Sequence, residues 1–321
     1  MQSPTKTGRC RGFGGHPILN AMQMFDDFDA WAETISGASL RLACDAVETP
    51  AWALGALQLG DVVLQVASEG GGNICYGAGT HAGPILFVPL TQAREHVVNG
   101  APFDDDSLLA IPRGADFSIR VRRRAHAWCS IAVPGGIQTG AGAMSGSRRV
   151  KCPPGTTRKI RQMVHDVTTA LLDRPPGTAA HRAAGKELVD AAVSCLSIPA
   201  PRPKPSLGRP RLDRAAIIRR AMEAIDAAPT VPTASELARQ IAVTERTLLR
   251  TFRETFGESP KKYLMLRQLH QVRRILSAGA ADVATVADVL ACQGIWEFGR
   301  FAGRYRRHFG ELPSQTLARK K

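Results

Sequence analysis

Between residues 40 and 134, short apolar runs alternate with turn residues: LRLAC, ALGALQLGDVVLQVA, GPILFVP, SLLAIP, FSIRV and AWCSIAVP. Runs of this length, punctuated by Gly, Pro and Asp, predict strands packed as a compact β-sandwich or barrel. The period then lengthens. In TRKIRQMVHDVTTALLDR, Ile160, Val164, Val167 and Leu171 recur at helical spacing, and after an Arg-Pro-Pro-Gly break AAHRAAGKELVDAAVSCL continues in the same way. Two amphipathic helices around a tight turn are expected. Their apolar stripes can cover the β domain or pair with a second subunit, and periodicity does not separate the two. The Gly/Ser-rich stretch PGGIQTGAGAMSGS, residues 134–147, reads as a flexible connection and does not match a dinucleotide-binding fingerprint. Residues 199–212, PAPRPKPSLGRPRL, carry five prolines and predict an exposed linker, because proline has no amide to donate.

Beyond residue 212 the pattern is helical. Thr233-Ala-Ser-Glu236 is a capping box that starts a helix through Leu237 and Ile241. After a break at Ala242-Val243, Thr244 can cap a second helix with Leu248, Phe252 and Phe256 on one face and Arg246, Arg250 and Arg253 on the other. Gly257 suits the left-handed end of that helix, and Ser259 and Pro260 suit the start of the next. The plan is then repeated. Thr285 precedes VADVLACQ, Gly294 supplies a turn, and IWEFGRFAGRYRRHF carries Phe301, Tyr305 and Phe309 as a buried row with Arg300, Arg304 and Arg307 outside. Even the wording recurs: TFRETFGESP at residues 251–260 and RYRRHFGELP at residues 304–313. Each copy has the form of a helix-turn-helix. Residues 260–277 predict one connecting helix about 27 Å long. Successive major-groove faces of B-DNA lie about 34 Å apart, so such a connector suits two reading helices in adjacent grooves.

Charge points the same way. The chain carries a formal net charge of +14, and from Arg202 onward there are 23 Lys/Arg against 11 Asp/Glu, compared with 19 against 17 before it. The basic excess therefore belongs to the last third, where a polyanion such as double-stranded DNA is the expected partner. The seven cysteines are scattered singly, without C-x-x-C or histidines at ligand spacing, so a reducing compartment and no metal site are expected. No run predicts a membrane-spanning helix and the first 15 residues lack an apolar signal segment, which makes the cytoplasm the expected location. There is no G-x-S-x-G and no cysteine in a nucleophile context, so no catalytic residue and no enzyme activity are expected, and the alternative of a DNA-repair or other enzyme fused to this module finds no support.

The motifs SELARQIAVTERTLLRTFRETFGESP, residues 235–260, and VADVLACQGIWEFGRFAGRYRRHFGELP, residues 286–313, resemble the DNA-binding domain of the AraC/XylS family of bacterial transcription regulators. The wording GIWEFGRF resembles a branch that includes regulators of ethanolamine utilisation. The resemblance implies a seven-helix domain in an activator of transcription that acts with RNA polymerase, as a homodimer, without a cofactor. It places base contacts on Arg246, Leu249 and Arg250 in the first unit, and on the row Phe298, Gly299, Arg300 and Gly303 in the second, where Gly and Phe replace the usual polar readers and Arg300 is the best surviving one. Trp296 can meet a thymine methyl or simply pack. Phosphate contacts fall on Thr244, Arg253, Lys261, Lys262, Arg304, Arg306 and Arg307. Ala242 stands where a turn glycine is usual. For the β domain the resemblance implies a small-molecule effector or dimerisation, and control by a protein partner is the alternative.

The overall expectation is an α+β two-domain chain: a β-rich regulatory domain over 1–135, a loop and helical pair over 136–198, a linker over 199–211, and an all-α DNA-binding domain over 212–321. Within the β domain, Arg120, Arg122, Arg123 and Arg124 read as a solvated strand edge or an anion site. His81, His96 and His126 read as ordinary polar residues, and Asp104-Asp105-Asp106 as a solvated turn. No effector-binding residue is assigned.

Overall fold

A computed structural model describes residues 22–122, 124–136, 146–171, 174, 177–197, 213–278 and 285–319. The expected linker over 199–211, most of the Gly-rich stretch, Cys10 and Arg123 lie outside these residues. The chain divides into two compact units, Met1–Gly208 and Arg209–Lys321.

The first unit begins with β1 (Gln23–Phe25), the short helix α1 (Phe28–Ala32), β2 (Ala38–Val47), β3 (Trp52–Leu59), β4 (Val62–Glu69) and β5 (Gly71–Gly79). It continues through β6 (Ile85–Pro89), β7 (His96–Val98), β8 (Ala101–Pro102), β9 (Ser107–Ile111), β10 (Asp116–Val121), β11 (His126–Ala132) and β12 (Arg148–Lys151). The helices α2 (Thr156–Leu171) and α3 (Ala179–Leu196) complete it. The strands form two antiparallel sheets, one of seven strands in the order β1-β3-β4-β11-β6-β9-β12 and one of five in the order β2-β5-β10-β7-β8. The terminal strands β1 and β12 fall outside the alternating region of the sequence, since QMF and RRVK are too short or too charged to show a period.

The seven-stranded sheet is buried on both faces, and its alternation sorts residues between two cores. Trp52, Leu54, Phe87 and Trp128 face the five-stranded sheet. Leu64, Val66, Val88, Cys129 and Ile131 turn the other way, onto Ile160, Val164 and Leu171 of α2 and Leu188 of α3. This is why ILFVP in β6 is buried at every position. The stripe of the helical pair therefore covers the sheet, the first of the two roles its periodicity left open. Gly185 of α3 lies against β3 so closely that a Cβ there would collide with the Leu59 carbonyl. Two of the cysteines that are isolated in sequence meet here, with Cys152 Sγ 3.2 Å from Cys195 Sγ in the same core.

The described residues of the second unit form seven helices: α4 (Arg214–Ala227), α5 (Ala234–Gln240), α6 (Glu245–Phe256), α7 (Pro260–Ala278), α8 (Val286–Cys292), α9 (Phe298–Phe309) and α10 (Pro313–Ala318). Caps set their ends. Thr233 and Glu236 make the reciprocal capping box of α5, and the Thr244 and Thr285 hydroxyls accept from the amides of Thr247 and Asp288 to start α6 and α8. Gly257 and Gly310 end α6 and α9 in the left-handed conformation. Phe252, Phe256 and Tyr263 form one aromatic cluster, the last two stacked with centroids 5.3 Å apart. Phe301 and Tyr305 anchor the second cluster with Leu269, Val272, Val289 and Ile295. Phe309 departs from the expected buried row, being half-buried, with the Arg273 guanidinium 4.4 Å from its ring centroid and His270 and His308 edge-on to it.

The two helix-turn-helix turns differ in one respect. Gly294 takes φ +68°, which costs glycine little, whereas Ala242 takes φ +53° at the equivalent place, where its Cβ crowds the backbone. Replacing Ala242 with Gly is expected to stabilise the second unit by about 1 kcal/mol. Urea denaturation of the two proteins side by side checks this, and a loss of stability would mean that the turn does not need the left-handed residue.

Candidate nucleic-acid interface

The outer face of α6 is built by its caps and its core. Because Leu248, Thr251, Phe252 and Phe256 are buried, the helix has one rotational setting, and that setting exposes Arg246, Arg250 and Arg253 with Leu249 half-exposed beside them. The Arg220 guanidinium hydrogen-bonds the Ile241 carbonyl at the end of α5, which ties α4 to the turn before α6. Arg250 does not stand alone: its Nε donates to Glu254 at 2.9 Å, and Glu254 also receives Arg214 at 2.7 Å. Thr244 is exposed at the helix start, Lys261 is exposed, and Lys262 is half-buried with its ammonium 3.2 Å from Glu258.

The second unit repeats the arrangement with a later start. Ile295 is buried in the turn, Trp296 is an exposed turn aromatic, 75% exposed ahead of the helix, and α9 begins at Phe298, itself 38% exposed. Arg300 is exposed, with Nη1 2.6 Å from Glu297. A Cβ at Gly299 would meet nothing within 4 Å, and one at Gly303 only the tip of Arg307 at 3.7 Å, so two adjacent turns of α9 present bare backbone. Arg306 and Arg307 are exposed, but Arg304 is half-buried, a correction to its expected place on the outer face.

The first unit holds a feature that the sequence did not single out, a small, partly open cavity of about 60 Å³ lined from both sheets by residues that include Leu40, Phe87, Phe117, Ile119 and Trp128. The surface it presents is almost wholly hydrocarbon, although Ser36, Glu69, Asn73, His126 and Ser130 are among its lining residues. The buried Glu69 carboxylate gathers three donors: Trp128 Nε1 at 2.6 Å, the Asn73 amide, and His126 Nε2 at 3.5 Å. Burial alone would lower the His126 pKa, but the Glu69 charge and its hydrogen bond outweigh that and raise it. His96 packs edge-on to His126 at 5.2 Å and is held down to about 3 by burial and by the His126 charge. Of the arginine run, Arg120 is neither solvated nor at an edge: β10 lies in the middle of its sheet, and Arg120 is 3% exposed and 3.8 Å from Asp45. The only signal for the cluster was polar residues placed among strand hydrophobes, a signal shared by many positions that line nothing.

Among the described residues no group of three or more His, Cys, Asp or Glu is placed to hold a metal ion, and no helix is long and apolar enough to cross a membrane. The helix-turn-helix domain family matches residues 237–319, which takes in both turns. The XylDLEGF operon transcriptional activator 1 of Pseudomonas putida is 40% identical over 85 residues, 26% of this chain and 26% of that protein. The protein named probable thc operon regulatory protein of Rhodococcus erythropolis is 27% identical over 148 residues, 46% of this chain and 45% of its own. Among solved structures, the AraC-like transcriptional activator CuxR aligns with 84% of this chain and 99% of its own at 13% identity and a TM-score of 0.42. The first of these alignments spans only about a quarter of the curated relative, and the matched domain lies within the basic second unit. Residues 237–319 thus carry a helix-turn-helix domain, and the chain is similar there to transcription regulators of the AraC/XylS family.

Proposed function

We propose that the protein reads an extended DNA site with α6 and α9 in successive major grooves, and that occupancy of the inter-sheet cavity by a small molecule modulates this reading. The observation that carries the reading is the continuous 19-residue helix α7 between two similarly capped helix-turn-helix units. At 1.5 Å per residue it spans about 28 Å, close to the groove repeat of about 34 Å. Arg246, Leu249 and Arg250 are assigned to base edges in the first groove, and Trp296, Phe298 and Arg300 in the second. Thr244, Arg253, Lys261, Lys262, Arg304, Arg306 and Arg307 are assigned to phosphates, which position the helices without reading sequence. The apolar cavity favours a small-molecule effector over a protein partner as the controlling input. The full regulator is read as a cytoplasmic homodimer that recruits RNA polymerase and activates transcription.

Selection of random duplexes by the full chain at physiological salt tests the reading. Two preferred blocks about one helical turn apart are expected. Arg250→Ala is expected to flatten one position of the first block at a cost of about 1–3 kcal/mol in discrimination, while leaving the second block intact. A single block, or a loss spread evenly over all sequences, would refute paired reading or the base assignment of Arg250 respectively.

A further inference from the structure

Trp296 and Phe298 flank Glu297 at the start of α9, and they are two of the four large apolar side chains that are exposed among the described residues. Single exposed hydrophobes are ordinary, but two aromatics side by side on the surface call for a partner. In a recognition helix the N-terminal residues are the ones that reach base edges. At that place α6 carries Arg246, whereas α9 carries the two aromatics. The charged groups beside them are already engaged with each other, Glu297 lying 2.6 Å from Arg300. Gly299 and Gly303 add a second observation. Glycine is a poor helix former, and the packing of α9 does not call for it: a Cβ at Gly299 would meet nothing within 4 Å, and one at Gly303 only Arg307 Nη1 at 3.7 Å. What their missing Cβ atoms allow is close approach of another surface to this face of the helix. The surface that fits is DNA, because Arg306 and Arg307 are exposed on the same helix and the last third of the chain holds the basic excess.

We infer that α9 reads thymine, through apolar contact of Trp296 and Phe298 with 5-methyl groups in the major groove, whereas α6 reads through the hydrogen bonds of its arginines. The inference rests on the proposed reading of DNA by both helices and says what the second one recognises. Among the base edges of the major groove the thymine methyl is the hydrocarbon group, and an aromatic ring packed on it removes apolar surface from water without needing a donor or an acceptor. Cytosine carries only a hydrogen at the same carbon, so the contact discriminates between the pyrimidines. Arg300 is the one polar side chain in the row Phe298, Gly299, Arg300 and Gly303, which confines direct hydrogen bonding from that row to a single side chain.

Deoxyuridine in place of thymidine removes the methyl and leaves every hydrogen-bonding edge as it was, so it isolates the contact. The full chain is titrated by fluorescence anisotropy with the duplex it selects, carrying uracil in one block or the other, and the block flattened by Arg250→Ala marks the one under α6. Uracil in the block under α9 is expected to weaken binding about fourfold for each methyl contacted, the worth of one buried methyl-sized group. In the double variant Trp296→Ala, Phe298→Ala the same exchange should change nothing. Both side chains are exposed, so the variant is expected to fold, and if it does not, the exchange on the unaltered protein decides alone. Equal affinity for thymine and uracil in a block that is nonetheless selected, or a selected block without thymine, overturns methyl reading and leaves paired reading standing. Sensitivity to uracil that survives in the double variant also overturns it, and leaves the exposed aromatics to a protein partner. Selection of a single block overturns the reading by both helices and this inference with it.

Discussion

Raising the salt from 50 to 200 mM is expected to weaken binding of the full chain to its selected site by about a thousandfold. Each phosphate neutralised releases counterions, so the logarithm of the affinity falls with the logarithm of salt at about 0.9 per contact. Six cations, Arg253, Lys261, Lys262, Arg304, Arg306 and Arg307, then give a slope of about −5. Two of them are differently placed from the rest: Lys262 lies beside Glu258, and Arg304 is half-buried. If both stay out of the interface, the slope falls to about −4 and the loss to about a hundredfold. Fluorescence anisotropy across a salt series measures the slope directly, and a value shallower than about −2 would remove the electrostatic interface assigned to the second unit.

Glu69→Ala is expected to destabilise the first unit by about 3–5 kcal/mol, the usual cost of removing one partner of a buried ion pair. The loss is large because the substitution strands three buried donors together, on Trp128, Asn73 and His126. Urea denaturation followed by tryptophan fluorescence reads it, since Trp128 reports on the cluster itself. A loss below about 1 kcal/mol would mean that the cluster is not formed in solution. The pH profile supplies a second readout. The His126 pKa is raised by Glu69, so its contribution is fully present below the ordinary histidine value and is lost as pH climbs through the folded-state value. His96 is depressed to about 3, so its contribution is present above the ordinary value and falls away as pH drops toward 3. Stability should therefore peak near neutrality, and Glu69→Ala should remove the alkaline limb and leave the acid one.

The two units were not equally legible, for a physical reason. Helix caps, four-residue periods and left-handed turn positions are local, so Thr233, Thr244, Phe252, Gly257 and Thr285 announce the second unit within a few residues of where they act. Strand alternation is local too, and it exposed the β-rich region, but it says which side chains share a face and not which strands are neighbours. Arg120 is the clearest case. Its alternation suits a solvated edge, yet β10 lies between β5 and β7, and the guanidinium is buried near Asp45. The cavity cluster is hidden in the same way, because Glu69 and Asn73 meet His126 and Trp128 only through the pairing of β4 with β11 and the packing of one sheet on the other. On the outer faces of α6 and α9, the sequence placed Arg246, Arg250, Arg253, Arg300 and Arg307 and set Trp296 in the turn, but it did not show the half-burial of Arg304.

Both arginines given the central reading roles already have a carboxylate on their own unit: Arg250 touches Glu254, and Arg300 touches Glu297. Under the proposed assignment, a base that recruits either one must compete with that glutamate, and exposed, solvent-screened pairs of this kind are weak, so a well-placed guanine displaces it readily. For a sugar-phosphate backbone sliding past, the same glutamates are fixed negative charges at the mouth of the groove. They tax every sequence alike, and only a sequence that returns a bidentate contact recovers the toll. Under the proposed reading, the carboxylates act as a threshold, lowering residence on random DNA more than on the operator and widening the ratio between the two.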